Sequence, residues 1–245
     1  MSFELALKSG YVSVARGAGR LGRELGLLGR LERMSHRSRM AHWMRSLPEI
    51  HNLEGMVALD VPWWTYTAIA RVEQHLAETP GARVFEYGSG ASTIWLARRA
   101  RAVTSVEHHE GWYDKMADVL AHQKGLAPID LRLVAPDAPA HPDPLYRSAK
   151  AGADMASFAG YAQSIEHTAE CGYDLIVIDG RARAACLAHA AARLAPSGMI
   201  VFDNSGRARY RAAIRESGLA ATPYRGLTPS LPYPDETTLL TRHPE

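Results

Sequence analysis

The sequence predicts an α/β protein with a parallel sheet and helices on both faces. After Thr79-Pro80-Gly81, short runs rich in β-branched residues alternate with alanine-rich stretches of helical length, which is typical of parallel strands joined by crossover helices. A glycine turn follows the first of these strands directly. The chain is 47% hydrophobic and 22% charged, an ordinary balance for a folded domain that disfavours a disordered or membrane-spanning chain.

The same pattern places the individual elements. Five strands are predicted at 83–87, 102–107, 129–134, 173–179 and 198–203, with two further candidates at 219–224 and 236–241. Helices are predicted at 63–77, 91–100, 111–122, 182–194 and 206–217. A proline-rich stretch between the last two strands predicts a surface loop.

Residues 1–62 are predicted to form a basic, mainly helical arm or cap, and residues 63–245 the main domain. The first fifty residues hold 9 Lys+Arg against 4 Asp+Glu, whereas the remaining chain has a net charge of −3. Leucines recur at helical spacing between Arg16 and Met34, but each glycine in that stretch costs a helix about 1 kcal/mol relative to alanine. Such a helix needs a surface to dock on. Three docking surfaces remain possible: the main domain, a second subunit in a homodimer, and a membrane. Nucleic acid is disfavoured because the rest of the chain is acidic.

The cysteines and the N-terminus predict a cytoplasmic protein. Cys171 and Cys186 fit neither a disulfide framework nor a Cys/His metal spacing. Glu4, Lys8 and Arg16 interrupt the apolar stretch that a signal peptide needs. No apolar run reaches the length of about 18 residues that a transmembrane helix requires.

The most informative segment is a strand, a glycine turn and a helix start at residues 84–93. Gly88 and Gly90 allow a tight turn and let a ligand approach the backbone. Glu107 ends the next strand 17 residues after Gly90, near the spacing at which an acid accepts hydrogen bonds from ribose hydroxyls. Thr93 stands at the third glycine of the dinucleotide fingerprint GxGxxG, which disfavours a NAD-dependent dehydrogenase.

Four motifs in order resemble those of the class I S-adenosylmethionine-dependent methyltransferases. They are the glycine turn EYGSGAS (86–92), the acid of SVEHHEGW (Glu107), the strand YDLIVIDG (173–180), and LAPSGMIVFDN (194–204). The resemblance covers roughly residues 80–242. It implies a Rossmann-like sheet of seven strands, the last one antiparallel at 237–242, and S-adenosylmethionine as cofactor.

The resemblance also implies site residues. Glu86 would hold the methionine amino end, Glu107 the ribose, and His108 and Asp137 the adenine. The full predicted cofactor set is Glu86, Tyr87, Gly88, Ser89, Gly90, Ser92, Thr93, Glu107, His108, Asp137 and Asp179. One alternative stays open for Glu107, which is capping of the helix at 111–122.

Asp179, Asp203 and Asn204 are predicted as catalytic and metal-binding residues. They end two neighbouring strands, and oxygen ligands suit Mg²⁺, which would lower the pKa of a bound hydroxyl. This set resembles that of the metal-dependent O-methyltransferases, which carry a lysine base three residues after the first aspartate. Ala182 stands there in this chain, between Arg181 and Arg183. Alternatively, Asp179 orients the substrate or the methionine amine, and Asp203-Asn204 caps the following helix.

Substrate contacts are predicted at Trp63, Trp64, Tyr146 and Arg181. The tryptophans lie in an aromatic cluster that forms either core or pocket wall, and Tyr146 belongs to a long loop at 138–160, which is typical of a lid or binding loop. His108, His109 and His167 are further candidates for proton transfer.

The predicted function is S-adenosylmethionine-dependent methyl transfer to a small-molecule acceptor, at a hydroxyl and with help from a divalent metal. Two alternatives remain. One is aminopropyl transfer on the same fold, and the other is a non-enzymatic nucleotide-binding module docked to a membrane or partner through the basic arm.

Overall fold

The computed structural model describes residues 27–35, 38–50, 52–148, 156–170 and 172–243. Most of the helix predicted from Arg16 onwards lies outside the described residues. Its described remainder is helix α1 (Leu27–Ser35).

Seven strands form one sheet. They are β1 (Arg83–Tyr87), β2 (Ala102–Glu107), β3 (Ile129–Leu133), β4 (Tyr173–Ile178), β5 (Leu194–Asp203), β6 (Ala220–Gly226) and β7 (Asp235–Thr241). The strand order is β3-β2-β1-β4-β5-β7-β6. The first five strands pair in parallel, and β7 runs antiparallel to both β5 and β6. The prediction of a Rossmann-like, mostly parallel sheet with an antiparallel last strand is confirmed.

The other helices that the structure describes connect and cover these strands. They are α2 (Arg39–Ser46), α3 (Leu53–Leu59), α4 (Tyr66–Glu78), α5 (Ala91–Ala97), α6 (Glu110–Ala121), α7 (Ala159–Gln163), α8 (Arg183–Ala192) and α9 (Arg211–Glu216). Two are shorter than predicted at their start. Helix α4 begins at Tyr66 because Thr65 has extended backbone angles, and α9 begins at Arg211 after a 3₁₀ turn at Ala208–Tyr210.

Side chains alternate between the two faces of the sheet and build a core on each. On one face, Val84 and Val177 pack with residues of α3, α4 and α5. On the other, Phe85 and Ile176 pack with residues of α7 and α8. Strands buried on both faces are nearly continuous apolar runs, as expected for a parallel sheet with helices on both sides.

The stretch from Trp43 to Met56 packs on the main domain. Ser230 N donates to Ser46 Oγ at 2.8 Å, Trp43 Nε1 donates to Leu231 O at 2.8 Å, and Leu53 and Met56 are completely buried. What the helix predicted between Arg16 and Met34 docks on stays a prediction. The boundary at residue 62 stays a prediction. Among the described residues, no helix has both the length and the apolar character needed to cross a bilayer.

The strand order reverses between β1 and β4, since β2 and β3 lie on one side of this pair and β5 on the other. Ligands of open α/β sheets bind in the crevice outside the carboxyl ends of the strands at such a switch point. A ligand site is therefore expected at the turns after β1, β2 and β4.

Candidate functional site

A cavity of about 440 Å³ lies at this switch point, within the range typical of small-molecule sites. The residues that line it come from the turns after β1, β2 and β4, from the first turns of α5, α6 and α8, and from the segment before α4. They are Trp63, Gly88, Ser89, Gly90, Ala91, Ser92, Glu107, His108, His109, Trp112, Asp179, Gly180, Arg181 and Arg183. The structure thus brings ten of the predicted site residues together: Trp63, Gly88, Ser89, Gly90, Ser92, Glu107, His108, His109, Asp179 and Arg181.

The two glycines of the turn after β1 have different roles. Gly88 has a φ of +94°, and a Cβ there would lie 3.0 Å from the backbone of Gly180, so both its conformation and its close packing on the tip of β4 require glycine. At Gly90, an added Cβ would meet only Ser92 Oγ, at 3.8 Å. The backbone of Gly90 therefore borders open space, where a ligand can approach it.

Glu86 lies behind the turn, where it is completely buried and not among the residues that line the cavity, and its contact with the cofactor stays a prediction. Its side chain points to the face covered by α5, where it accepts hydrogen bonds from Ser92 Oγ at 2.5 Å, Thr93 Oγ1 at 2.5 Å and Ser105 Oγ at 2.7 Å. Burial raises the pKa of Glu86 to about 7 although these three hydroxyls oppose the shift. Thr93 also misses the cavity, since its hydroxyl accepts the Gly90 N–H at 3.0 Å. Glu86 and Thr93 therefore hold the glycine turn in shape through hydrogen bonds on its buried side.

Three aromatic residues predicted at the site lie in the core instead. Tyr87 is completely buried and donates to Ala162 O at 2.7 Å. Trp64 is completely buried and packs edge-on against Trp95 at 5.9 Å. Tyr146 OH lies 3.1 Å from His189 Nε2 on α8. Aromatic content alone did not reveal which of these side chains face inward.

Glu107 presents a carboxylate to the cavity. Its Oε1 accepts the backbone N–H groups of His108 at 2.8 Å and His109 at 2.9 Å, and its Oε2 accepts from Ser89 Oγ at 3.2 Å. Burial favours the neutral form, but His108 and these backbone donors hold the pKa of Glu107 below its ordinary value. The capping alternative is wrong, because His109 Nδ1 caps α6 by accepting the Trp112 N–H at 3.2 Å.

His108 and Arg181 connect the tips of β2 and β4. Arg181 Nε donates to His108 Nε2 at 3.1 Å, so Nε2 is the accepting nitrogen of the ring in this arrangement. His108 Nδ1 lies 2.8 Å from Glu107 Oε1. The three side chains form a polar row along one wall.

Trp112 is the main wall residue that sequence reasoning missed. Its Nε1 donates to Ser89 O at 2.8 Å, which ties α6 to the glycine turn. The signal was its position three residues after the N-cap of the helix that follows β2. Trp63 and Trp112 both line the cavity and give it two aromatic surfaces.

Asp137 caps a helix and is not among the residues that line the cavity, and its position beside the adenine stays a prediction. Its carboxylate accepts from Ser157 Oγ at 2.6 Å, Ala159 N at 2.6 Å and Gly160 N at 2.9 Å. Partial burial works against ionisation, but these donors hold the pKa of Asp137 below its ordinary value. The two backbone groups are the first free N–H groups of α7, so Asp137 serves as the cap of that helix from a distant segment.

The predicted metal ligands are arranged around a guanidinium group. Arg183 Nη2 lies 2.7 Å from Asp179 Oδ1, and Arg183 Nη1 lies 3.8 Å from Asp203 Oδ2. Asn204 turns away, since its Nδ2 donates to Asp235 Oδ2 at 2.8 Å. Of the three predicted ligands only Asp179 lines the cavity. In the described ranges, no group of three or more His, Cys, Asp or Glu residues could hold a metal ion. The residues present do not fit the predicted metal.

The carboxyl groups of Asp179 and Asp203 both have raised pKa values. Burial raises the pKa of Asp179, and Arg183 and Arg207 oppose this shift. Burial and the neighbouring Asp179 raise the pKa of Asp203 well above its ordinary value. Asp203 also accepts from Thr237 Oγ1 at 2.9 Å, so it is a buried structural group rather than a wall residue.

No protein-family model matches the sequence, and no curated protein matches it either. Among solved structures, a methyltransferase-like protein from Silicibacter pomeroyi is 21% identical, with 72% of this chain and 87% of that chain covered and a TM-score of 0.48. An rRNA methylase from Streptococcus thermophilus is 14% identical, with 70% and 94% covered and a TM-score of 0.49. A candidate methyltransferase from Streptococcus mutans, in complex with S-adenosylhomocysteine, is 12% identical, with 70% and 96% covered and a TM-score of 0.47.

Proposed function

We propose that this chain is an S-adenosylmethionine-dependent methyltransferase that acts on a hydroxyl group of a small molecule. One observation supports this proposal above the others. The cavity at the switch point of a β3-β2-β1-β4-β5-β7-β6 sheet combines an open glycine turn with the carboxylate of Glu107 on its wall.

The wall residues fit the cofactor. Open space at Gly90 lets a ligand contact the backbone of the turn, and Glu107, with its lowered pKa, can accept hydrogen bonds from ribose hydroxyls. Gly88, Ser89 and His108 complete this side of the cavity. When bound, S-adenosylmethionine would supply a methyl group whose carbon an oxygen nucleophile can attack, and the C–S bond would break to leave the neutral thioether of S-adenosylhomocysteine.

Asp179 stands on the opposite side of the glycine turn from Glu107. The two acids follow strands that flank β1 on either side, so roughly 10 Å separates the tips of those strands. One elongated ligand can therefore use Glu107 at one end and present its reacting end near Asp179. The side chain of Asp179 is 23% exposed, and this exposed part faces the cavity.

A hydroxyl acceptor must lose its proton when the new C–O bond forms. Burial raises the pKa of Asp179, which makes its carboxylate a stronger proton acceptor than an exposed aspartate. We assign Asp179 the role of receiving that proton. Trp63 and Trp112 give the acceptor apolar surfaces to pack on.

Calorimetric titration with S-adenosylhomocysteine tests the binding part of the proposal. We expect one site per chain in the wild type and affinity lowered about 10-fold or more in Glu107→Gln, because hydrogen bonds to a charged group contribute about 1.5–3 kcal/mol. Glu110→Gln is the matched control, since Glu110 is an exposed acid at the start of α6. Absence of binding by folded wild-type protein would falsify the proposal.

A further inference from the structure

We infer that Arg183 occupies the place between Asp179 and Asp203 where a divalent cation would bind, so that this cluster holds no metal ion. This inference concerns the ion-pair cluster alone and does not depend on methyl transfer by this chain.

The contacts of the guanidinium group support the inference first. Arg183 Nε donates to Gly180 O at 3.1 Å, and Nη2 donates to both Asp179 O at 3.1 Å and Asp179 Oδ1 at 2.7 Å. Nη1 donates to Asp203 O and lies 3.8 Å from Asp203 Oδ2. Carbonyl and carboxylate oxygens are the ligands that a hard cation prefers. Here five such oxygens surround the guanidinium group instead.

Local backbone geometry places Arg183 there. Ala182 has a φ of +42°, a left-handed conformation that is uncommon for residues other than glycine. Helix α8 begins directly after it, at Arg183. The turn brings the arginine side chain back over the end of β4, four residues after Asp179. Ala182, where the metal-dependent enzymes carry a lysine, has no polar side-chain atom to offer.

A cation and Arg183 cannot share this space. The Arg183 side chain is only 8% exposed, and a metal would have to displace it from all five oxygens. Breaking a buried ion pair by removing one partner costs several kcal/mol. Asn204, the third predicted ligand, points to a different partner, because its amide donates a hydrogen bond to Asp235. Both facts exclude a cation while Arg183 stays in place.

Manganese titration followed by electron paramagnetic resonance tests the inference, with Mn²⁺ alone as the probe. We expect the wild type to leave the signal of free Mn²⁺ unchanged. Arg183→Met frees the carboxylates, so we expect it to bind about one Mn²⁺ per chain, and a further Asp203→Asn substitution should abolish that binding. Arg181→Met is the control, since Arg181 lines the same cavity but contacts His108.

Two results would overturn the inference. One is stoichiometric Mn²⁺ binding by the wild type that Asp203→Asn removes. The other is a folded Arg183→Met variant that binds no Mn²⁺. Circular dichroism establishes whether the Arg183→Met variant folds. If the variant does not fold, the wild-type titration still tests the inference, because Mn²⁺ binding by the wild type that Asp203→Asn removes would overturn it. Neither result bears on S-adenosylhomocysteine binding, so failure of this inference and failure of the proposed function are separate outcomes.

Discussion

Glu86→Gln is expected to remove much of the pH dependence of stability between mildly acidic and mildly alkaline solution. Glu86 is completely buried beneath the glycine turn, and burial raises its pKa from 4.5 to about 7. A carboxyl whose pKa is higher in the folded state holds its proton longer there than in the unfolded chain. The stability that this proton contributes is complete below pH 4.5 and is lost as pH rises towards 7.

The size of the pKa shift of Glu86 determines how much the free energy of unfolding changes with pH. At 1.36 kcal/mol per pKa unit, a shift from 4.5 to about 7 corresponds to about 3 kcal/mol in total. The unfolded carboxyl is already largely ionised at pH 5.5, so about 2 kcal/mol of this is lost between pH 5.5 and pH 8. Glutamine resembles the protonated acid in shape and cannot ionise, so the variant does not lose this free energy.

Urea unfolding at pH 5.5, 6.5 and 8, followed by tryptophan fluorescence, measures the effect. The free energy of unfolding of Glu86→Gln relative to wild type should rise by about 2 kcal/mol from pH 5.5 to pH 8. Glu110→Gln, at an exposed position, should show no such trend. A difference between Glu86→Gln and wild type that stays constant, or that falls with rising pH, would refute the reasoning, because Glu86 would then ionise in the fold as readily as in the unfolded chain.

Three further variants test other parts of the structure. Gly88→Ala should lower the free energy of unfolding by about 3 kcal/mol, because a positive φ and overpacking against Gly180 act together. Gly125→Ala, at a φ of +70° with nothing within 4 Å of the added Cβ, should cost only about 1 kcal/mol in the same urea assay, and equal losses would contradict the packing argument. Asp179→Asn should lower kcat about 100-fold or more, as loss of a proton acceptor does, and leave the affinity for S-adenosylhomocysteine unchanged; weaker binding with unchanged kcat would instead make Asp179 a ligand of the methionine amine. Asp137→Ala should lower the free energy of unfolding by about 1–2 kcal/mol, because it removes a helix cap. Its affinity for S-adenosylhomocysteine in calorimetry should be unchanged, and a lower affinity would indicate that Asp137 contacts the cofactor.

Local patterns made much of the sheet predictable. The predicted bounds of β1 and β2 coincide with the observed ones, because apolar β-branched runs end at glycine or at polar turns there. The wall positions of Gly88, Gly90 and Glu107 were also predictable. A turn follows its strand directly, and parallel strands end at one edge of the sheet.

The positions of the other site residues depend on contacts between segments that are distant in the sequence. Glu86 and Ser89 lie three residues apart, yet only Ser89 faces the cavity, and that choice follows from the hydroxyls of α5 and β2 that surround Glu86. Asp137 caps α7 across more than twenty residues of chain. Arg183 takes its position from one left-handed residue before α8. No spacing rule in the sequence reports these arrangements.

A crystal structure of the full chain with S-adenosylhomocysteine tests the central claim most directly. We expect the ligand in the cavity at the carboxyl ends of β1, β2 and β4, with its ribose hydroxyls at hydrogen-bond distance from Glu107 Oε2 and its backbone contacts at Gly88 to Gly90. A ligand bound elsewhere, or one in this cavity whose ribose does not contact Glu107, would contradict it.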